Sequence, residues 1–297
     1  MGDSHVKLNI GQWNLNPWYQ RRNEVESMIS KSKLDLLVMN DTRSCSKMNI
    51  EIGGYDIERN DHPENTRRPG GSAIAIQNTI SYKRIITSSK ESVCVEIKNG
   101  MGEFRILTVY AHPGELVDKK LIEEAEKDAK PSTSFLLIGD FNAHIGLDND
   151  KDPDRAGIHL IDLMSHYDFH LLNNNEPTYS SCSCSSMSCI DLAFLKSGST
   201  NLMANWEVLE PGSSDHSATL VTLYDSTSMT NAQHNDQTIS VTDWDLYRAG
   251  LEKALEIPYN NLITRSETDS HTSNAQSNNK LKLQLERLKS WKRPISF

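Results

Sequence analysis

Apolar residues fall in short blocks along the chain, and their spacing switches between two and three-to-four, which separates strands from helices. Residues 6–10 alternate and lead into a polar, aromatic segment, QWNLNPWYQRR. Residues 22–33 predict a helix, with Val25, Met28 and Ile29 at helical spacing. Leu34 to Met39 is a short apolar run of the kind that forms a strand buried on both faces. Gly70–Gly71 opens another strand, SAIAIQ. Residues 91–98 and 103–110 predict a pair of strands turning at Asn99–Gly100. Residues 118–130 predict a helix, and FLLIGDF follows as a second buried strand. Residues 156–168 predict a helix with Ile161, Met164 and Tyr167 facing inward, and IDLAFL and SATLVTLY are the last two strands. Strands and helices mixed in this way form a layered α/β domain.

The texture changes after Tyr224. Residues 225–240, DSTSMTNAQHNDQTIS, are polar and read as a linker. TDWDLYRAGLEKALEIP then places Trp244, Tyr247, Leu251 and Leu255 on one helical face, with Thr242 as its N-cap. Residues 264–279 are polar again, and KLKLQLERLKSWKR has the pattern of a basic amphipathic helix. The expected organisation is one domain over residues 1–224 and a linker with a helical tail over 225–297.

Composition narrows the function classes. A hydrophobic fraction of 37% is ordinary for a globular protein with a real core. No stretch approaches the roughly 18 consecutive apolar residues of a membrane span, so no membrane partner is expected. The polar N-terminus carries no signal-peptide core, and an intracellular location is expected. Five cysteines, an odd number, argue against a disulfide framework. Cys182, Cys184 and Cys189 cluster in a Ser-rich stretch without a fourth Cys or His nearby, so free thiols in an exposed loop are expected rather than zinc. A net charge of −9 runs against nucleic-acid binding, which draws on Lys and Arg. Two facts soften the conflict. Metal-binding carboxylates present a cation once loaded. Basic residues also cluster locally, at Arg21–Arg22, at Arg67–Arg68 and in the run from Lys280 to Arg293.

The chemistry lies in where the polar residues fall. Asp140 and Asn142, in GDFNAH, directly follow the apolar run FLLI, at the strand end where α/β folds place catalytic groups. Two residues apart, they project to the same side. Ser214-Asp215-His216 precedes the strand SATLVTL, where an Asp can orient an imidazole toward a phosphoryl oxygen. Asp191 lies inside the strand CIDLAF, where a buried charge costs several kcal/mol unless it is paired or bound to metal.

GQWNLN, NDTR, GG-SAIAI, TVYAHP, GDFNAH, CIDLAF and SSDHSATL occur in the order and rough spacing of the apurinic-endonuclease-like, DNase-I-like superfamily. Residues 155–191, with RAG-HLIDL, HLLNNNEPTYSS and SCIDL, further resemble the endonuclease domain of non-LTR (LINE-type) retrotransposons. The resemblance covers residues 6–224. The Trp244 segment is similar to the one that joins such an endonuclease to a reverse transcriptase, though no polymerase motif follows.

The resemblance implies a four-layer fold, a two-sheet β-sandwich flanked by helices. It implies a Mg²⁺-dependent endonuclease (Mn²⁺ as substitute) that nicks DNA to leave 3′-hydroxyl and 5′-phosphate ends, acts in the nucleus and primes retrotransposition beside a reverse transcriptase domain. By the same resemblance, Asp41 stands at the metal-binding Glu position, with Asn14 and Asp215 also near the metal. Asn14 contacts the phosphate, with Asn16 beside it, and Tyr110 lines the phosphate pocket. Asp140 orients or deprotonates the attacking water, and Asn142 holds the phosphate. Asp191 supports His216 or the metal, His216 stabilises the transition state, and Ser214 bonds within the cluster. Ser214, Arg67 and Thr178 are counted as substrate contacts, and the loop from Thr178 to Ser188 is expected to form a hairpin that probes a DNA groove. Trp13, Trp18 and Trp206 are read as core or rim packing residues, with Trp18 and Tyr19, in a loop beside the site, also candidates for base stacking.

One departure stands out. Asn40-Asp41-Thr42 replaces the family's Gln-Glu-Thr, and the shorter Asp predicts weaker metal affinity. Two rival readings share these motifs: a phosphatase or phosphodiesterase on small phosphoesters or poly(A), and an inactive nucleic-acid-binding relict. Against the relict, no catalytic position has become apolar.

Overall fold

The computed structural model describes residues 7–61, 69–147, 152–181, 186–199 and 201–226, together with a two-residue pairing of β15 (Ser240–Val241) with β16 (Arg293–Pro294). The linker and tail helices expected after Tyr224 otherwise lie outside the described residues.

Two six-stranded sheets make up the body. The first holds β1 (Lys7–Asn14), β2 (Leu36–Asn40), β3 (Tyr55–Asn60), β4 (Ser72–Gln77), β13 (Leu202–Val208) and β14 (Thr219–Asp225), in the order β13-β14-β1-β2-β4-β3. The second holds β5 (Tyr82–Ile85), β6 (Cys94–Asn99), β7 (Gly102–Tyr110), β8 (Ser134–Asp140), β9 (His170–Leu171) and β12 (Asp191–Lys196), in the order β5-β6-β7-β8-β12-β9. β10 (Tyr179–Ser180) and β11 (Met187–Ser188) form a small hairpin of their own.

Among the described residues only β1–β2 and β7–β8 pair in parallel, and each of these pairs is joined through a helix. α1 (Trp18–Ser32) packs Trp18, Val25 and Ile29 onto the outer face of the first sheet. α2 (Lys119–Glu126) and α3 (Arg155–His166) cover the outer face of the second sheet with Leu121, Ile122, Leu160, Ile161 and Met164. The four layers are those implied by the resemblance. α1 starts four residues before the apolar periodicity predicts, because the buried Trp18 opens it. α2 ends at Glu126 rather than 130, where the buried Arg105 donates to the Ala125 and Lys127 carbonyls at 2.7 and 2.6 Å.

Between the sheets lies an apolar layer built by strict alternation. Leu8 and Ile10 of β1, Leu36 and Val38 of β2, Ile74 and Ile76 of β4, Phe104 and Ile106 of β7, Leu136 and Ile138 of β8, Ala193 and Leu195 of β12, and Val221 and Leu223 of β14 all face inward. Their neighbours on the opposite faces, such as Leu37, Met39, Leu107, Leu137 and Phe194, pack under the helices. Central strands buried on both sides read as continuous apolar runs for this reason.

Candidate active site

At one end of the sandwich the inward-facing row turns polar. Continuing each strand by two residues with the same parity gives Gln12 and Asn14, Asn40, Ser72, Thr108 and Tyr110, Asp140, Asp191 and Thr219. Hydrogen bonds tie these side chains across the layer. Asn40 donates to Ser72 Oγ, Thr108 Oγ1 and the Val109 carbonyl. Gln12 donates to Asp191 Oδ1 at 2.8 Å and to Asn40 Oδ1 at 3.3 Å, and accepts from Thr219 Oγ1. Buried polar groups persist only when satisfied in this way.

Asp140 and Asp191 are cross-strand partners in the antiparallel β8–β12 register, and both are buried. Like charges placed opposite each other repel, and His216 answers the conflict. Its Nδ1 meets Asp191 Oδ2 at 2.8 Å, and its Nε2 lies 4.0 Å from Asp140 Oδ2. Burial, then the Asp191 charge, pushes Asp140 up to about 7, against the pull of His216, the Asn142 amide N–H and the Asn14 side chain. Burial alone lowers the His216 imidazolium, yet Asp191, followed by Asp140 and Asp215, pushes it up to about 9. Tyr110 is raised by burial and by Asp41, Asp140 and Glu91, so its phenol stays protonated.

Loops at this end are fixed tightly. Gly139 sits at φ +152°, and a Cβ there would lie 2.0 Å from the Val109 carbonyl oxygen, so the residue before Asp140 must be glycine. Trp13 Nε1 donates to the His216 carbonyl at 2.8 Å, and Ser214 Oγ donates to the Asn14 carbonyl at 2.9 Å. Glu24 of α1 accepts from the Ser213 amide at 2.8 Å. The hairpin backs the imidazole: Ser180 N donates to Asp215 O, Ser217 N donates to Thr178 O, and the Tyr179 ring lies 4.8 Å from the His216 ring.

Asp140, Asp191 and His216 offer ligand atoms within 4.8 Å of one another, close enough to suggest a cation among them. Their bonding argues for a proton-handling relay instead, since both Asp191 oxygens and Nδ1 are already engaged. A hard divalent cation fits better on the neighbouring oxygens. Asn14 Oδ1 is buried and has no hydrogen-bond partner, while Asn14 Nδ2 is spent on Asp140 Oδ2 at 2.8 Å. Asp41 directly follows Asn40, the register partner of Asn14, and Asp215 is reached by Asn16 Nδ2 at 3.1 Å. A side-chain carbonyl oxygen and carboxylates are the donor types that Mg²⁺ or Mn²⁺ takes, and Asn14, Asp41 and Asp215 supply them at this end of the sandwich.

Residues 104–220 match the family described as endonuclease-reverse transcriptase. The chain is 25% identical over 84% of its length to the RNA-directed DNA polymerase from mobile element jockey of Drosophila melanogaster, and covers 27% of that protein. It is 24% identical over 85% of its length to the probable RNA-directed DNA polymerase from transposon X-element of the same organism, and covers 28% of it. Among solved structures, the endonuclease domain of TRAS1, a telomere-specific non-LTR retrotransposon, superposes with a TM-score of 0.61 at 18% identity, over 74% of this chain and 100% of that one. The chain thus has the fold of that endonuclease domain, and its residues 104–220 are similar to the endonuclease-reverse transcriptase family. It spans little more than a quarter of the curated relatives.

The fold draws Asn14, Asp41, Tyr110, Asp140, Asn142, Asp191, Ser214, Asp215 and His216 to one end of the sandwich. Several expectations need correction. Thr178 does not face a substrate: it is fully buried, and its Oγ1 accepts from the Ile190 and Asp191 amides at 3.2 and 3.0 Å. The Ser214 hydroxyl turns inward to Asn14, so its contacts are within the protein. Cys189 is buried rather than exposed, while Cys182, Cys184 and Arg67 lie outside the described residues. Trp18 opens α1 and packs into the core as read, while Tyr19 is 61% exposed. Asn142 is partly committed, its Nδ2 donating to the Ala111 carbonyl and to Asp140 Oδ2 at 2.9 and 3.1 Å. Gln12, Asn40 and Arg43 join the site without a role assigned by the motifs, although the first two carry a readable signal: a polar residue at the inward parity of an apolar strand.

Proposed function

We propose that this domain is a Mg²⁺-dependent nuclease that nicks DNA in the nucleus, leaving 3′-hydroxyl and 5′-phosphate ends. Within a longer protein such as its polymerase relatives, the freed 3′-hydroxyl primes reverse transcription by a separate domain. The observation that supports this most is the buried Asp140–His216–Asp191 arrangement beside the Asn14 side-chain Oδ1, which has no hydrogen-bond partner among the described residues.

Asp140, with a pKa near neutrality, takes the proton of the attacking water. Asn14 and Asn142 hold its Oδ2 by their amides, which fixes the direction from which water is drawn. His216, charged against Asp191, turns Nε2 toward the site and stabilises the oxyanion of the pentacoordinate phosphorus. Tyr110, kept protonated, donates its hydroxyl to a non-bridging oxygen. When bound at Asn14, Asp41 and Asp215, the cation supplies Lewis acidity to the phosphoryl group and offsets charge on the leaving 3′ oxygen.

The test is relaxation of supercoiled plasmid with and without EDTA, followed by ligase sealing of the nick and by phosphate release from small phosphoesters. Nicking that EDTA stops and ligase reverses is expected. Nicking that survives Asp140→Ala or His216→Ala, or phosphoester turnover without nicking, would overturn the assignment.

A further inference from the structure

Asp41 enters the site with its carboxylate already taken. Oδ1 accepts from the Gly70 amide at 2.7 Å. Arg43 grips both oxygens, with Nε at 3.3 and 3.2 Å and Nη2 at 3.0 Å. A carboxylate has about four lone-pair positions, so little acceptor capacity is left for a metal.

The backbone builds this grip. Asp41 and Arg43 both have positive φ, +46° and +49°, on either side of the fully buried Thr42. Thr42 N and Arg43 N donate to the Gly71 and Gly70 carbonyls at 3.1 and 2.9 Å, which bends the chain so that residue 43 reaches back to residue 41. The two partners differ in freedom: the Asp41 side chain is 4% exposed and the Arg43 side chain 40%. The acid is fixed in the site and the guanidinium can leave. The side-chain oxygen of Asn14, Oδ1, is buried and has no hydrogen-bond partner among the described residues.

We propose that Arg43 is an exchangeable placeholder, holding Asp41 until a divalent cation arrives and then releasing it. This rests on Asp41 being a cation ligand, as in the preceding reading. Arginine is always charged and suits a carboxylate in this two-pronged way. A ligand that binds only the released form sees its affinity reduced by the fraction of sites so released. Arg43 therefore lowers cation affinity through one carboxylate, beyond its charge on the field of the site.

The test is calorimetric titration of Mn²⁺ alone, without DNA, into wild type, Arg43→Met, Arg43→Lys, and Arg43→Met combined with Asp41→Asn, with circular dichroism to verify folding. Arg43→Met should bind Mn²⁺ about five- to tenfold more tightly than wild type. Arg43→Lys, which keeps the charge but loses the fork, should gain less. Adding Asp41→Asn should erase the gain. Affinity in Arg43→Met no tighter than wild type overturns the placeholder, and so does a gain that persists without Asp41. EDTA-sensitive nicking in the wild type judges the nuclease reading separately.

Discussion

Replacing Asp191 with Asn removes a charge and almost no volume, so it isolates what the carboxylate does for His216. An Asn keeps the Gln12 bond by presenting its carbonyl there, which turns its amide toward Nδ1. Nδ1 must then accept, and a doubly protonated ring has no place to put that proton. His216 loses the largest charge that raises it and keeps the burial that lowers it, with Asp140 and Asp215 still in place, so its pKa falls from about 9 toward the ordinary imidazole value. A return all the way to that value is worth ~3 kcal/mol. At pH 8 the full return takes the protonated fraction from about nine-tenths to about three-hundredths, so the nicking rate should fall by up to ~30-fold. The sign of the pH shift follows for both groups. Native activity rises as Asp140 ionises near 7 and falls as His216 deprotonates near 9. Without the Asp191 charge Asp140 ionises at lower pH as well, so both limbs move in the acid direction. Initial rates of plasmid nicking at saturating Mg²⁺ across this range measure it. A basic limb still near pH 9, or a loss below about threefold at pH 8, would refute the reasoning.

Two further outcomes follow from packing and satisfaction. Gly139→Ala forces a Cβ to within 2.0 Å of the Val109 carbonyl at a φ of +152°. It should cost about 3 kcal/mol or more and lower Tm by at least ~4 °C, read by thermal melting; an unchanged Tm contradicts the close β7–β8 approach. Gln12→Leu strips a donor from Asp191 and Asn40 and an acceptor from Thr219. A loss of about 2–4 kcal/mol in urea unfolding and about a tenfold slower nicking reaction are expected, and normal values in both would show the bridge to be idle.

Legibility in the sequence tracked burial. SAIAIQ, FLLIGD and IDLAFL are central strands, apolar on both faces, and their positions could be read directly. Tyr55–Asn60, Tyr82–Ile85 and Leu202–Val208 could not, because they are edge strands whose charged or partly exposed residues blur the alternation. Edges carry polar residues that blunt unwanted pairing. Asp140, Asp191 and His216 were legible through motif and context. Thr178 was not, since a hydroxyl holding two backbone amides is indistinguishable in sequence from one facing a ligand. The Arg43–Asp41 pairing was hidden too, because it depends on the sign of φ at two non-glycine residues.

The order in which the sheets are laid down has its own consequence. The chain begins the first sheet, builds the whole of the second, and returns to seat β14 between β13 and β1. The bond from Trp13 to the His216 carbonyl spans 203 residues. A chain still leaving the ribosome can therefore hold Asp140, Asn142 and Asp191 in place yet lack its imidazole until β14 docks. The last strand of the first sheet is thus also the one that completes the site: until it arrives, the two buried aspartates face each other without their imidazole.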